Sequence, residues 1–250
     1  MRAAKPLKFI AIIACLMLCF GAVAVSAQTV SLDLGEDITG DASRRIFQLV
    51  VLLTILSLAP SILMMVTSFT RIIVVLSLLR SALGIQQTPP NPVLIGLALF
   101  LTMFIMQPVF EKAYKDGIEP LTLNKIKEKE AWEKTVAPFH EFMMMHVREK
   151  DLALFVELAG NPKIESPEAT PLKILVPAFL ISELRRAFEI GFLIFIPFLI
   201  IDMVVAATLM AMGMMMLPPV LISLPFKLIF FVLIDGWHMI AGSLVRSFGV

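Results

Sequence analysis

After residue 19 the sequence contains no cysteine. Its two cysteines, Cys15 and Cys19, fall in a stretch that reads as a removable leader. The remaining chain therefore offers no disulfide, no thiolate metal site and no cysteine nucleophile. Charge is scarce too: 16% of residues are Asp, Glu, Lys or Arg, and they balance to a net +1. There is no basic stripe and no interleaving of basic with aromatic side chains, which excludes nucleic acid as a partner. A glycine-rich phosphate loop, a Ser/His/Asp arrangement and zinc-ligand spacing are all missing. His140 and His146 stand about 240° apart around a helix, so one face cannot present both to a metal. His238, beside Asp235 and Trp237, reads as an interfacial packing residue. No enzyme activity, cofactor or metal is expected. The sequence also shows no internal repeat and no strand-like alternation.

What remains is apolar. With 58% hydrophobic residues and four runs of roughly 18–25 such residues, the chain is expected to be an all-α polytopic membrane protein. Residues 1–27 have the order of a secretory signal peptide: Arg2, Lys5 and Lys8 first, an apolar stretch over 9–20, and Val25-Ser26-Ala27 before the cut. Leu18 is too large to precede a lipoprotein cleavage at Cys19. Residues 28–45 make an acidic lead-in with Asp33, Glu36, Asp37 and Asp41.

Residues 46–110 read as a first helical hairpin region. Its first run, 46–66, should be kinked by Pro60. Apolar character then continues past Val66 with Arg71 and Arg80 as its interruptions, which fits an amphipathic helix packed on protein. The break at Thr88-Pro89-Pro90-Asn91-Pro92 precedes a second run, 93–110, expected to end at Gln107-Pro108. Residues 111–173 change character, with ten basic against twelve acidic residues. Apolar spacings of three and four make this polar middle helical, with a linker from Asn161-Pro162 to Pro171. A domain is thus placed at 111–171, and an apolar hairpin at 172–250 with runs 192–212 and 220–240.

A cleaved leader puts residue 28 outside the membrane. Alternating spans then place Arg71 and Arg80 on the cytoplasmic side, 111–173 in the periplasm and the 203–219 turn in the cytoplasm. Arg185 and Arg186 fall outside, against the positive-inside bias. Either the topology is inverted, or these helices are not ordinary lipid-facing spans; the second reading is preferred.

Asp202, Lys227 and Asp235 sit in or near spanning-length runs, where each would cost roughly 2.5–3.5 kcal/mol at the centre of a lipid-exposed helix. Glu183–Arg186 and Arg185–Glu189 have helix-neighbour spacing. Asp202 and Lys227 lie almost equally far from Met215, so an antiparallel hairpin sets them level. A proton or ion relay, interfacial snorkelling and salt bridges between helices or subunits are all compatible with these charges. The last accounts for the greatest number of them.

The turn itself is unusual. Met210, Met212, Met214, Met215 and Met216 crowd into seven residues, followed by Pro218 and Pro219. The proline pair is expected to end the helix, with Gly213 as a second point of give. Thioethers are flexible and polarisable, suiting a seal that must close and yield.

The stretch from FLISELRRAFEIG through MVVAATLMAMGMMMLPP to FKLIFFVLIDGWHMIAGSL, with SFTRIIVVLSLLRSALGIQQTPPNPVLIG upstream, resembles the FliP family of flagellar type III export-gate proteins and their injectisome relatives. The leader and acidic lead-in favour the flagellar branch. The resemblance implies a bacterial inner-membrane protein of the flagellar basal body with a periplasmic helical domain. It implies a homo-oligomeric ring of five copies, assembled with FliR and FliQ and completed by FlhA and FlhB. Its substrates would be unfolded rod, hook and filament proteins, and Met214, Met215 and Met216 would form a pore gasket. An injectisome homologue and an ion-coupled secondary transporter are the alternatives, the second expected to show repeat symmetry.

Overall fold

The computed structural model of the chain describes residues 40–85, 87–160, 169–214 and 216–249. The expected signal peptide, the lead-in as far as residue 39, linker residues 161–168 and Met215 lie outside the described residues. The chain falls into two units, Met1–Thr54 and Ile55–Val250. Helix α1, Gly40–Met65, starts in the first and ends in the second, so the last lead-in residues are already helical. It runs through Pro60, and its apolar side chains, among them Phe47, Leu52 and Leu56, are exposed.

In the second unit, α2 is Phe69–Ala82 and α3 is Asn91–Ala113. A π-helical turn, Tyr114–Ile118, leads into α4, Glu119–Thr122. Then come α5, Glu128–His146, α6, Glu149–Leu158, α7, Leu172–Ala211, α8, Pro219–Leu233, and α9, Gly236–Arg246. Every regular element among the described residues is helical. The polar middle is helical as well.

Three boundaries differ from expectation. Pro108 lies inside α3 instead of ending it. Residues 172–191 and the run after them form one helix of 40 residues, about 60 Å long and twice the hydrocarbon thickness of a bilayer. Residues 220–240 are two helices, not one span: α8 and α9 meet at a 63° bend. Asp235 makes that bend with a left-handed backbone, φ 50°, which aspartate tolerates better than most residues.

Helix α2 is the centre of the packing. Ile72, Val75, Leu76 and Leu79 form its buried stripe, at helical spacing. Around the first three are packed Leu94 and Met106 of α3, Phe142 and Met143 of α5, Leu175 and Phe179 of α7, and Leu244 and Phe248. A second apolar cluster joins Leu79 and Ala82 to Phe198 and Phe231. Arg71 meets Glu183, Leu78 faces Gly191, and the Ala82 carbonyl receives Lys227, which holds Asp202. Contacts therefore advance together along both helices, and α2 runs parallel to α7.

That arrangement corrects the alternating topology. Arg71 touches Glu183, two residues from Arg185, yet the alternation sets Arg71 and Arg185 on opposite sides of a membrane. Side chains about 30 Å apart cannot meet, so Arg71 and the 183–189 charges share one level. Among the described residues, three helices are long and apolar enough to cross a membrane: Ile46–Met65, Asn91–Thr122, which includes the π-helical turn and α4, and Leu172–Ala211. A fourth is counted if α8 and α9 act as one span. Helix α2 is not among them.

Gly191 permits the close approach of α2 to α7. A Cβ there would lie 2.3 Å from Leu78 Cδ1 and 3.2 Å from its Cβ. Gly191→Ala is expected to destabilise the protein by about 1–3 kcal/mol through overpacking, and Leu78→Ala should relieve part of that loss. Thermal unfolding of the single and double variants in detergent checks it; additive losses would contradict the contact.

Candidate functional site

Three places collect the side chains singled out in the sequence. The first surrounds Arg71, in the first turn of α2. Its side chain and that of Glu183 on α7 are almost wholly buried. The guanidinium grips the carboxylate with two donors: Nε to Oε2 at 2.9 Å, and Nη2 to Oε1. Nη1 donates to the Ser247 carbonyl at 3.1 Å and to Ser247 Oγ at 3.0 Å. The guanidinium carbon lies 3.7 Å from the centre of the Phe248 ring. Burial pulls the Arg71 pKa below the ordinary arginine value, while the Glu183 hydrogen bond raises it. Arginine starts so high that it remains a cation.

Glu183 is therefore paired with Arg71, and not with Arg186 three residues along its own helix. Arg186 is exposed. Arg185 and Glu189 do meet, at 2.9 Å, but both are well exposed, and exposed pairs of this spacing contribute little. Next to Glu183, Ser182 extends the buried polar region: its hydroxyl accepts the Arg148 N–H at 3.0 Å and lies 2.7 Å from Asp151 Oδ2.

The second place is where α7 meets α8. Lys227 Nζ donates to Asp202 Oδ2 at 2.6 Å and to the Ala82 carbonyl at 3.3 Å. Ser223 Oγ donates to Asp202 Oδ1 at 2.5 Å. Ser223 and Lys227 are four residues apart and share one face of α8, so a single carboxylate accepts from both. Lys227 is buried and Asp202 partly open. Asp235 belongs to neither centre; it is exposed at the α8–α9 bend.

The third place is the turn after α7. The Gly213 N–H donates to the Met210 carbonyl at 3.0 Å, and the Met214 N–H to the Leu209 carbonyl at 2.9 Å. With Gly213 at φ 75°, this is a Schellman ending, which glycine supplies without strain. The proline pair does not stop α7. Pro218 caps α8 and Pro219 is its first residue, where a missing N–H costs nothing. Between the helices Met212, Met214 and Met216 are exposed, at 70%, 39% and 99%.

Among the participants that sequence reasoning missed as site residues are Arg71, Ser182, Ser223, Ser247 and Phe248. Arg71 carried a signal, a lone cation within an apolar helical stripe, but its partner lies 112 positions away. Local spacing cannot reach that far. His140 and His146 hydrogen-bond to the backbone carbonyls of Thr170 and Phe142, both at 2.8 Å.

The sequence pattern of the FliP family matches residues 52–244. The flagellar biosynthetic protein FliP of Caulobacter vibrioides is 56% identical over 99% of this chain and 92% of its own length. That of Bacillus subtilis is 59% identical over 80% of this chain and 91% of its own. The Aquifex aeolicus protein of the same name is 47% identical over 93% and 97%.

Truncating one member of the buried pair strands the other. Glu183→Ala is expected to lower stability by about 3–5 kcal/mol, because Arg71 would be left buried and unpaired. Replacing both residues by apolar ones of similar volume should lose much less. Unfolding midpoints of the two variants in detergent test this; a larger loss in the double variant would contradict it.

Proposed function

The chain belongs to the FliP family, and from that premise we propose that it is a core subunit of the flagellar type III export gate in the bacterial inner membrane. In this reading it forms a homo-oligomeric ring of five copies with FliR and FliQ, joined by FlhA and FlhB. Unfolded rod, hook and filament proteins pass through its bore. Residues 111–171 form the periplasmic domain. The role is passage, with no catalytic step assigned to any residue.

The exposed methionine turn is the observation that carries the channel part of the proposal. Apolar surface left in water is unfavourable by about 25 cal/mol per Å², and loops ordinarily hide little of it because they are polar. Met216 stands at 99% exposure on a turn fixed by Gly213 at one end and Pro218-Pro219 at the other. Copies of the same turn around an axis would cover one another and leave a narrow apolar constriction. Such a constriction excludes ions by dewetting, while unbranched thioethers can mould around a passing polypeptide of any sequence. Met214, Met215 and Met216 are the proposed gasket, and Gly213, Pro218 and Pro219 set its position.

The charged residues fit a supporting role better than an ion-coupling one. Asp202 and Lys227 are hydrogen-bonded to each other, to Ser223 and to the Ala82 carbonyl. A coupling site would have to release such partners in every cycle. The injectisome alternative has no observation in its favour, since the relatives reported above are named flagellar proteins.

Replacing Met214, Met215 and Met216 together by alanine is expected to raise ion leak across the membrane while assembly persists. Proton and potassium flux, measured in cells expressing the intact complex, provides the test. A triple variant that stays tight to ions and exports normally would overturn the gasket.

A further inference from the structure

We infer that Arg186 of one copy and Asp235 of the next form an ion pair that joins neighbouring copies head to tail; this rests on the homo-oligomer in the reading above. The fold sorts the charges of 172–250 into partnered and unpartnered ones. Glu183 is taken by Arg71, Glu189 by Arg185, and Asp202 by Lys227. Among the described residues, the Asp235 carboxylate and the Arg186 guanidinium meet neither a hydrogen-bond nor an ion-pair partner. One is an anion, the other a cation, and both are exposed. Each stands on an apolar surface. Leu193 lies two turns along the same face of α7 as Arg186, Val232, Leu233 and Trp237 flank Asp235, and all four are exposed. A lone charge on such a surface is costly when lipid covers it. It is compensated when a neighbouring protein supplies the opposite charge, and the apolar rim then shields the pair from water.

The two charges stand on different flanks of the fold. Sixteen residues separate Arg186 from Asp202, about 160° around α7. Asp202 meets Ser223 and Lys227 of α8, so α8 and the bend that ends it lie on the flank away from Arg186. Arg186 instead shares its side of α7 with Ser182, one turn earlier, which meets Arg148 and Asp151 at the start of α6. Eight residues of α8, about 12 Å, carry Asp235 back from the Lys227 contact towards the Arg186 end of α7. Opposite flanks are what a ring needs: a head-to-tail interface joins two different patches, whereas a patch that meets its own copy closes as a two-fold dimer. The same criterion sets aside the other cations. Arg246 follows Asp235 by eleven residues, about 20° around α9, so it shares that flank, and its Nε donates to the Gly242 carbonyl at 3.1 Å. Lys173, at the start of α7, lies about 20 Å from Arg186 along the helix.

Charge reversal tests the pair. Full-length chains under two different tags are expressed with the other components of the complex in cells lacking the wild-type chain, and homo-oligomer is quantified on native gels after mild extraction. Arg186→Glu or Asp235→Lys alone is expected to lower the oligomer at least about tenfold. Asp235→Asn, which tolerates the same left-handed backbone, should act in the same direction. The double variant should recover to within about threefold of wild type. The two reversed chains, co-expressed, should capture each other although neither captures its own kind, because each supplies the charge the other lacks. Unfolding midpoints of the single variants should stay near the wild-type value, since neither residue has a partner in its own chain. Single variants that assemble as wild type would overturn the pair and leave the ring reading intact. Single variants that are not restored in the double variant and do not capture each other would overturn it too. Rescue of Asp235→Lys by Arg246→Glu in place of Arg186→Glu would overturn it in favour of a two-fold contact. If differently tagged wild-type chains fail to capture each other, the ring reading fails and the inference with it.

Discussion

The guanidinium of Arg71 closes on the carboxylate of Glu183 inside a shell of apolar side chains, and three distant stretches of chain meet there. Helix α2 brings the cation, α7 the anion, and residues 247–248 a carbonyl, a hydroxyl and an aromatic face. Withdrawing two charges from water costs several kcal/mol per ion, which the mutual attraction repays only when geometry and remaining hydrogen bonds are good. Here four donor contacts and a ring face meet those conditions. The pair is best understood as a register device. Apolar packing would allow α2 to slide along α7 by a turn with modest loss, whereas a buried bidentate contact allows a single alignment.

The rest of the architecture follows from that alignment. With Arg71 set against Glu183, Leu78 falls opposite Gly191 and Ala82 comes level with Asp202 and Lys227. The Asp202–Lys227 contact in turn fixes α8 against α7, and so the path of the methionine turn. Two polar centres thus hold an otherwise apolar hairpin in one conformation. Outside these centres, much of α7 and α8 presents bare apolar side chains, including Phe192, Leu193, Leu221 and Leu233. In the proposed gate, neighbouring copies and lipid cover those faces.

Much of this was legible in the residues. The all-α character, the apolar runs and the membership of the FliP family follow from composition, spacing and long matching stretches. Asp202 and Lys227 are neighbours across a turn, so counting from Met215 suffices to set them level. Boundaries were harder. Pro108 lies within a helix, because tertiary packing outweighs one lost hydrogen bond, and a reading by breakers alone stops too early. Helix α7 ends at Gly213, and the prolines expected to end it start the following helix instead. The simple alternation of spans, which the sequence already sets aside in favour of helices that are not ordinary lipid-facing spans, assumes that each apolar run crosses lipid independently. A contact between residues 71 and 183 depends on the whole fold, which no local pattern records.

The absence of cysteine after residue 19 allows the central claim, that methionine turns from several copies converge on one axis, to be measured directly. A single Met216→Cys change in the native complex gives each copy one thiol at the turn, available for oxidative cross-linking in membranes. Disulfides within reach need Cα atoms about 4.4–6.8 Å apart. Covalent dimers of this chain formed through residue 216 are the predicted result. A thiol that stays monomeric under oxidation while reacting freely with a water-soluble maleimide would contradict the account.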